Sequence, residues 1–181
     1  MLRNGYAASG VREIAAEAGA PQGSFTNHFR SKEAFARDVL DLYFEHTQGL
    51  VREAFSDPSL APAARLRRYL DIIIGRLAED GFVRGCLIGD LSLEAAPLSE
   101  PLRARLAEIF AEWRMPFAQC VAEAQANGQV RADLDAEELA DFLLASWEGA
   151  ILRMKVERSA APLERFKRII FRTIFEEGSD A

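Results

Sequence analysis

The sequence has little cysteine and no long hydrophobic run. Only two of its 181 residues are Cys, and no secretion-signal pattern is visible, which argues against a disulfide-stapled secreted protein. No apolar stretch approaches the ~20 residues that a membrane-spanning helix requires. These absences predict a protein of the reducing cytoplasm that does not enter a membrane.

The sequence also lacks the motifs of catalysis. It contains no phosphate-binding P-loop, no dinucleotide-binding glycine fingerprint and no nucleophile in an elbow motif. Its two histidines, His28 and His46, have no metal-ligand partners at the usual spacing. We therefore expect no catalytic residue, no metal site and no cofactor, and we predict that the protein is not an enzyme.

β-Branched residues never form alternating runs, so no β-strand is predicted and the expected fold class is all-α. The composition, with 49% hydrophobic and 28% charged residues, suits a helical globular protein. Glycine, proline and capping residues divide the chain into eight predicted helices. These are Val11–Ala18 after an N-cap at Ser9, Pro21–Phe29, Lys32–Phe55 capped by Ser31, about Ala61–Asp80, Gly85–Ala95, a helix capped by Ser99 and ended by Gly128, a helix capped by Asp135 that runs to about Arg158, and Pro162 to about Glu176. Pro116 is expected to kink the sixth.

Charge is distributed unevenly along the chain. Residues 1–37 hold five cations and three anions, whereas the remainder holds 17 cations and 25 anions. The chain as a whole has a formal net charge of −6, which alone argues against nucleic acid. A mildly basic N-terminal part on an acidic body nevertheless suits a protein that touches phosphates at one end.

The first two predicted helices are too short to be stable alone and are joined by a tight turn that contains Gly19. This arrangement, with small and polar residues on the second helix, is typical of a helix-turn-helix that reads the major groove of DNA. An ordinary helical hairpin is the alternative interpretation.

The residues of this segment favour the DNA-reading interpretation. The elements Ser9-Gly10-Val11-Arg12-Glu13-Ile14-Ala15, Ala18-Gly19, Gly23-Ser24-Phe25, His28-Phe29 and Ser31-Lys32-Glu33 together resemble the DNA-binding domain of the TetR family of repressors. The resemblance implies a DNA-binding helix-turn-helix domain at residues 1–34. It also implies a ligand-binding and dimerisation domain at residues 35–181, with a homodimer built on the last two helices.

The resemblance also implies which residues contact DNA. Gln22, Ser24, Thr26 and Asn27 would lie exposed on the recognition helix, where amide and hydroxyl groups can bond base edges or phosphates. Gly23 would allow close approach to the duplex. Lys32 would meet a phosphate, helped by Ser9 at the other helix start. Family members commonly carry Tyr at the position of Thr26, so this phosphate contact is expected to be weaker or replaced.

The family carries a further helix before Gly5-Tyr6, and only residues 1–4 precede that pair here. We expect from this that the chain begins late relative to the family. The alternative function is a helical dimeric ligand- or protein-binding module that no longer reads DNA. Salt-dependent operator binding separates the two functions.

Apolar residues crowd the last two predicted helices, at Leu139, Phe142, Leu143, Trp147, Ile151 and Met154 and then at Leu163, Phe166, Ile169, Ile170 and Phe175. They are interpreted as too many for one chain's core, and the resemblance assigns them to a four-helix dimer interface. A larger core within one chain is the alternative.

Aromatic residues recur in the middle of the chain. The family's inducer cavity would be lined there by Phe110, Trp113, Phe117 and Trp147. Aromatic residues at helical spacing are more often ordinary core, so both interpretations stay open. A small-molecule inducer that favours a dimer with wrongly spaced DNA-binding domains would act by a shift of population.

Cys86 and Lys155 have a more specific interpretation. The segments Gly85-Cys86-Leu87 and Lys155-Val156-Glu157-Arg158-Ser159 resemble the N-ethylmaleimide reductase repressor branch of the family, which responds to electrophiles. A thiol near an ammonium or a helix N terminus has a lowered pKa, and its thiolate attacks quinones, aldehydes or oxidants. A buried inert thiol is the alternative, and we expect that state for Cys120.

Overall fold

The computed structural model describes residue 1 and residues 5–175. This part of the chain folds into eight α-helices, and it contains no β-strand. The predicted all-α fold is thus confirmed. In chain order the helices are α1 (Val11–Glu17), α2 (Gln22–His28), α3 (Lys32–Phe55), α4 (Pro62–Ala78), α5 (Leu87–Glu94), α6 (Glu100–Ala126), α7 (Ala136–Glu157) and α8 (Ala161–Thr173).

Three predicted N-caps start their helices through local hydrogen bonds. Ser31 Oγ accepts the Ala34 N–H at 3.0 Å, and Ser99 Oγ accepts the Leu102 N–H at 3.2 Å. The carboxylate of Asp135 accepts two backbone N–H groups at 2.8 and 3.2 Å. Each cap satisfies backbone donors that the first turn of a helix leaves free, so the starts of α3, α6 and α7 are confirmed.

The prediction that Ser9 caps α1 is wrong. The N-cap of α1 is Gly10, with no side-chain cap, because the Ser9 hydroxyl donates instead to Gly5 O at 2.6 Å. Ser9 is buried and stabilises the turn that precedes α1.

The bounds of two further helices differ from prediction. Helix α5 begins at Leu87 with Cys86 as its N-cap residue, two residues later than expected. Helix α8 runs over Ala161–Thr173, and the predicted end at Glu176 lies outside the described residues. Pro116 lies inside α6, and the kink expected there stays a prediction.

The chain forms two compact units. Among the described residues, the first comprises residue 1, residues 5–46 and residues 86–110, and the second comprises residues 47–85 and 111–175. The predicted functional boundary after residue 34 stays a prediction. None of the helices in the described ranges is long and apolar enough to cross a membrane.

Each unit has its own core. In the first, α1 packs on α2, and the rings of Phe25, Phe29 and Phe35 form a cluster with centroid separations of 4.9–5.5 Å. In the second, α8 packs on both α7 and α4. Tyr69 and Phe117 meet edge to face there at 5.3 Å. The aromatic cluster of the first unit holds two seven-residue helices that would not persist alone.

Candidate nucleic-acid interface and sensor residues

Helix α2 presents a polar outer face. Gln22, Gly23, Thr26 and Asn27 are exposed, and Ser24 is half-buried. The inner face carries Phe25, which is buried within the aromatic cluster of the first unit. The hydroxyl of Thr26 donates to Gly23 O at 2.9 Å, which leaves its oxygen able to accept. A short helix anchored by aromatic rings therefore offers amide and hydroxyl groups to solvent, and their contact with DNA stays a prediction.

The two predicted phosphate contacts lie in different surroundings. Ser9 is buried and bonded to Gly5 O, as described above. Lys32 is half-buried, and its Nζ lies 4.4 Å from the centroid of the Tyr6 ring and 3.4 Å from Ala7 O. Burial and the nearby Glu33 carboxylate raise the pKa of Tyr6, so its phenol stays protonated. Lys32 is thus held against the segment before α1, and its role toward a phosphate, like that of Ser9, stays a prediction.

Two carboxylates link distant segments of the first unit, and sequence reasoning missed both. Glu94, at the end of α5, accepts the Ala7 N–H at 3.1 Å, and a side chain at Gly5 would collide with the same carboxylate. Glu33 accepts the Ser99 hydroxyl at 2.6 Å. These pairs lie 87 and 66 residues apart in sequence, so no local pattern could have identified them.

The loop before α5 is ordered by the carboxylate of Asp80. The Asp80 carboxylate accepts the backbone N–H groups of Val83 and Arg84, both at 3.3 Å, and also pairs with the Arg84 side chain. Partial burial raises the pKa of Asp80, but the hydrogen bonds and charge of Arg84 outweigh it, so the pKa is below its ordinary value. Phe82 adopts a left-handed backbone with φ of 63°, which is costly for a bulky residue. The hydrogen bonds from Val83 and Arg84 to Asp80 in the same turn offset the conformational cost at Phe82.

The six predicted sensor residues are distributed over both compact units. Cys86, which is buried, and Phe110, which is half-buried, belong to the first unit. Trp113, Phe117 and Trp147 are buried in the second unit, and Lys155 is half-buried there.

The aromatic sensor residues of the second unit are packed against other rings. The Phe117 centroid lies 5.5 Å from that of Phe55 and 5.3 Å from that of Tyr69, and the Trp147 centroid lies 5.3 Å from that of Phe166. The indole N–H of Trp147 is buried without a hydrogen-bond partner among the described residues. These rings fill the core of the second unit, which is the alternative to an inducer cavity. The indole N–H of Trp147 is a hydrogen-bond donor that has no acceptor there in the described part of the chain.

Lys155 packs against the residue bonded to Cys86. A Cβ placed on Gly85 would lie 3.3 Å from Lys155 Cδ and 3.5 Å from Ile151 Cγ2. The absence of a side chain at Gly85 therefore lets the lysine stem lie directly on the backbone just before the cysteine.

The second cysteine, Cys120, is a buried and protonated thiol. Cys120 is buried in α6, and its Sγ donates to Pro62 O at 3.2 Å. Burial raises the pKa of Cys120 to about 12, so the thiol stays protonated at neutral pH. An inert Cys120 is what the sequence predicted. In the described residues no group of three or more His, Cys, Asp or Glu side chains is arranged to hold a metal ion.

The apolar residues of α7 and α8 divide into two sets. Most of those assigned to a dimer interface are buried within the chain itself, namely Leu139, Leu143, Trp147, Ile151, Met154, Leu163, Ile170 and Phe175. The expectation that they are too many for one chain's core is therefore wrong, because one chain alone buries them, with α8 packed on both α7 and α4. Phe166 is half-buried, and Phe142 and Ile169 are exposed, with exposed fractions of 57% and 49%.

A different set of α7 residues faces outward. Phe142, Ala145, Gly149, Leu152 and Val156 recur every three or four residues, and all five are exposed. We call these five residues the α7 stripe. Beside its start, a groove of about 620 Å³ is lined by Leu134, Glu138, Leu139, Phe142, Ser146, Phe166, Ile169, Ile170, Thr173 and Ile174. A heptad-like count along α7 would have identified this stripe from sequence.

Two family models match the chain. Residues 1–39 match the model described as bacterial regulatory proteins, tetR family. Residues 62–170 match the model described as tetracyclin repressor-like, C-terminal domain. The two matches include α2 at one end and α4, α7 and most of α8 at the other.

Full-length relatives support the same assignment. The HTH-type transcriptional repressor DhaR of Mycobacterium sp. strain GP1 is 46% identical over 174 residues, which are 96% of this chain and 86% of DhaR. The crystal structure of regulatory protein TetR from Rhodobacter sphaeroides superposes with a TM-score of 0.91 at 40% identity, over 96% of this chain and 92% of that one. The reduced form of NemR from E. coli gives 0.82 at 28% identity, over 96% and 90%.

Proposed function

Since this chain belongs to the TetR family and is a DNA-binding transcriptional regulator, we propose that it is a cytoplasmic repressor that binds a palindromic operator as a homodimer and releases it when an electrophile or a small-molecule inducer is present. The observation that carries the proposal is the exposed polar face of α2, with Gln22, Thr26 and Asn27 outward and Phe25 inward.

The groups on α2 suit direct reading of base edges. The amides of Gln22 and Asn27 can each donate to and accept from adenine in the major groove, whereas the hydroxyls of Ser24 and Thr26 can bond bases or phosphates. Gly23 is exposed and has no heavy atom near its missing side chain, so the helix can approach the duplex closely there. Lys32 and Ser9 are proposed to support the phosphate contacts, Ser9 through the turn that it stabilises.

The α7 stripe supports the homodimer. Exposed Phe142, Leu152 and Val156 leave apolar surface in water, and burial against a second copy would remove it. Ala145 and Gly149 are small and exposed on the same stripe, so two α7 helices can approach closely. A twofold dimer would present two α2 helices to half-sites roughly 34–36 Å apart, which explains how a seven-residue helix achieves useful affinity.

Operator binding tests this part of the proposal. Purified protein is titrated into DNA selected from a random library, with fluorescence anisotropy at several salt concentrations. We expect a selected palindrome, a steep loss of affinity with salt, and loss of specific binding in Q22A/N27A. Retained sequence-specific binding in that variant would overturn the residue assignment, and absence of any specific DNA would favour a module that no longer reads DNA.

Cys86 is the proposed electrophile sensor. It is the N-cap residue of α5, where free backbone N–H groups of the helix stabilise a thiolate. The Lys155 stem lies against Gly85, one residue away along the chain. The thiolate sulfur would add to the β-carbon of a quinone or unsaturated aldehyde, and the resulting enolate would take a proton from water. The relative NemR is an HTH-type repressor whose solved form is called reduced, which is consistent with thiol chemistry in this branch.

A reversible inducer is the second proposed signal. Phe110, Trp113, Phe117 and Trp147 are its proposed contacts. The unpartnered Trp147 indole N–H supports this, because a buried donor without an acceptor costs about 1–3 kcal/mol and an acceptor atom on a ligand would recover that cost. An inducer that carries a carbonyl or carboxylate oxygen would meet this requirement.

Competitive alkylation tests the sensor. Native protein is treated with a limiting maleimide, and modification of each cysteine is followed by mass spectrometry. We expect Cys86 to react and Cys120 to remain unmodified, because the raised pKa of Cys120 keeps that thiol protonated. In parallel, C86S should keep operator binding but lose its release by quinones, whereas C120S should behave as the parent. Equal reaction of the two thiols would contradict the proposal.

A further inference from the structure

A basic pocket between α4 and α8 is not used by the proposed function. It has a volume of about 310 Å³ and is lined by Arg67, Glu164, Lys167, Arg168, Phe171 and Arg172. We call it the α4/α8 pocket. All its residues belong to the second compact unit. The chain as a whole is acidic, with 28 acidic and 22 basic residues, whereas α4 and α8 each carry more basic than acidic residues, so positive charge is concentrated on the helices that form this pocket.

The carboxylates at the pocket already accept hydrogen bonds from Lys167. Lys167 Nζ donates to Asp71 at 2.7 Å and to Glu164 at 3.0 Å. Burial lowers the pKa of Lys167, but these two hydrogen bonds raise it more, so the ammonium stays charged well above neutral pH. Two carboxylates therefore balance one ammonium, and they are held on it by short hydrogen bonds.

Two arginines of the pocket have no carboxylate partner within the described part of the chain. Arg168 and Arg172 are exposed, lie one turn apart on α8, and form no ion pair with any of the described residues. Like charges at this spacing destabilise a helix by about 0.2–0.5 kcal/mol. Their placement at one concave site is thus unfavourable for the isolated chain, and an anion between them would reverse the sign of the interaction.

Arg67, on α4, lines the wall of the pocket opposite Arg168 and Arg172. Its guanidinium carbon lies 3.9 Å from the centroid of the Phe171 ring, and Phe171 is buried. A guanidinium stacked on an aromatic ring is restricted in orientation, and its N–H groups lie in the plane of the fork. The pocket thus has one guanidinium, carried by α4, that stacks on a ring of α8, and two exposed guanidinium groups carried by α8 itself.

We propose that the α4/α8 pocket binds a small phosphorylated metabolite, with its phosphate held by Arg168 and Arg172 and closed on the other side by Arg67. Arg168 and Arg172 are exposed and form no ion pair with any described residue, and each guanidinium can donate two parallel hydrogen bonds to phosphate oxygens. The volume exceeds what a bare phosphate fills and accommodates a small organic part. Such a ligand would act on the regulator independently of Cys86.

Calorimetric titration tests the site on the full chain, with glycerol 3-phosphate and inorganic phosphate as probes at constant ionic strength. The test variant is R168Q/R172Q, and the matched control is R165Q, which removes an exposed arginine of the same helix that does not line the pocket. We expect saturable binding that weakens at least tenfold in the double variant and stays unchanged in the control. Circular dichroism melting confirms that both variants fold.

Three results would overturn the proposal. Equal binding by the double variant and the parent would place the anion elsewhere. Equal loss in R165Q would show a diffuse charge effect rather than a site. Heat that never saturates with either probe would show nonspecific interaction. None of these results bears on operator binding or on Cys86, so failure here is distinguishable from failure of the repressor function.

Discussion

Helices α2 and α7 each present one face to the chain's own core and another to solvent, but their outer faces differ. The outer face of α2 carries Gln22, Thr26 and Asn27, whose side chains form hydrogen bonds. The outer face of α7 carries the α7 stripe, which is apolar or small throughout. Polar groups on an exposed helix suit the donor and acceptor pattern of a DNA groove, whereas an exposed apolar stripe suits a second protein surface.

The largest expected effect follows from disruption of the α7 stripe. We expect L152E/V156E to yield monomers, because two charges would be brought into the apolar contact between copies. Operator affinity should fall at least 100-fold, since one α2 helix alone makes too few contacts. Analytical ultracentrifugation and anisotropy measure the two effects. E157Q, a neighbouring change of an α7 residue outside the stripe, is the control, and a dimeric L152E/V156E protein would contradict the assignment.

Removal of the polar face of α2 should have a smaller effect on the folded protein than L152E/V156E has. Its effect on the specificity for operator DNA should be large. Each bidentate amide contact discriminates against a wrong base by about 1–3 kcal/mol, so Q22A/N27A should lose roughly 10- to 100-fold in operator affinity. Its dimerisation should remain, which separates this variant from L152E/V156E. If Q22A/N27A binds random DNA as weakly as the parent does and still prefers the operator, then other residues read the bases.

Loss of the carboxylate that holds the segment before α1 should have a moderate effect. E94A removes the acceptor of the Ala7 N–H, and one hydrogen bond to a charged group contributes about 1.5–3 kcal/mol at most. Because this bond positions the DNA-binding part, we expect a three- to tenfold weaker operator affinity with unchanged dimerisation. E100A provides the control, since the Glu100 side chain bonds only the neighbouring Arg103 among the contacts described. Equal effects in both variants would dismiss a positioning role for Glu94.

The smallest expected effect concerns Asp80 and pH. Its pKa lies below the ordinary value of 3.8 in the folded chain, so its contribution to stability is complete above that value. The contribution should be lost as the pH falls through the lower pKa of the folded state. Thermal melts of D80N should thus differ from the parent by about 1 °C or more at pH 7, and the difference should shrink progressively as the pH falls below 3.8. A constant difference over this range would contradict the role of the carboxylate.

Local interactions explain what could be predicted from the sequence. Ser31, Ser99 and Asp135 start their helices through hydrogen bonds within three residues, so their effect is visible in a short stretch of sequence. The outward polar face of α2 follows in the same way from the positions of Phe25 and Phe29. The cap of α1 failed because Ser9 had a competing acceptor at Gly5, which a helix-cap pattern does not include.

Long-range packing explains what could not be predicted. Which apolar residues of α7 face inward depends on α8 and the remainder of the second unit, so Leu143 and Met154 were assigned to the dimer interface although both are buried in one chain. The contacts of Glu94 with Ala7 and of Lys167 with Asp71 join residues 87 and 96 positions apart. Neither contact leaves a periodic signal in the sequence.

Footprinting combined with stoichiometry tests the division between α2 and α7 most directly. Hydroxyl-radical protection of the selected operator is measured with the parent, Q22A/N27A and L152E/V156E, and the number of chains per operator is determined by native mass spectrometry. We expect two symmetric protected half-sites about one helical turn or a multiple apart, occupied by two chains, with protection lost in both variants but dimers lost only in the second. A single protected site occupied by one chain, or full protection by L152E/V156E, would contradict the account.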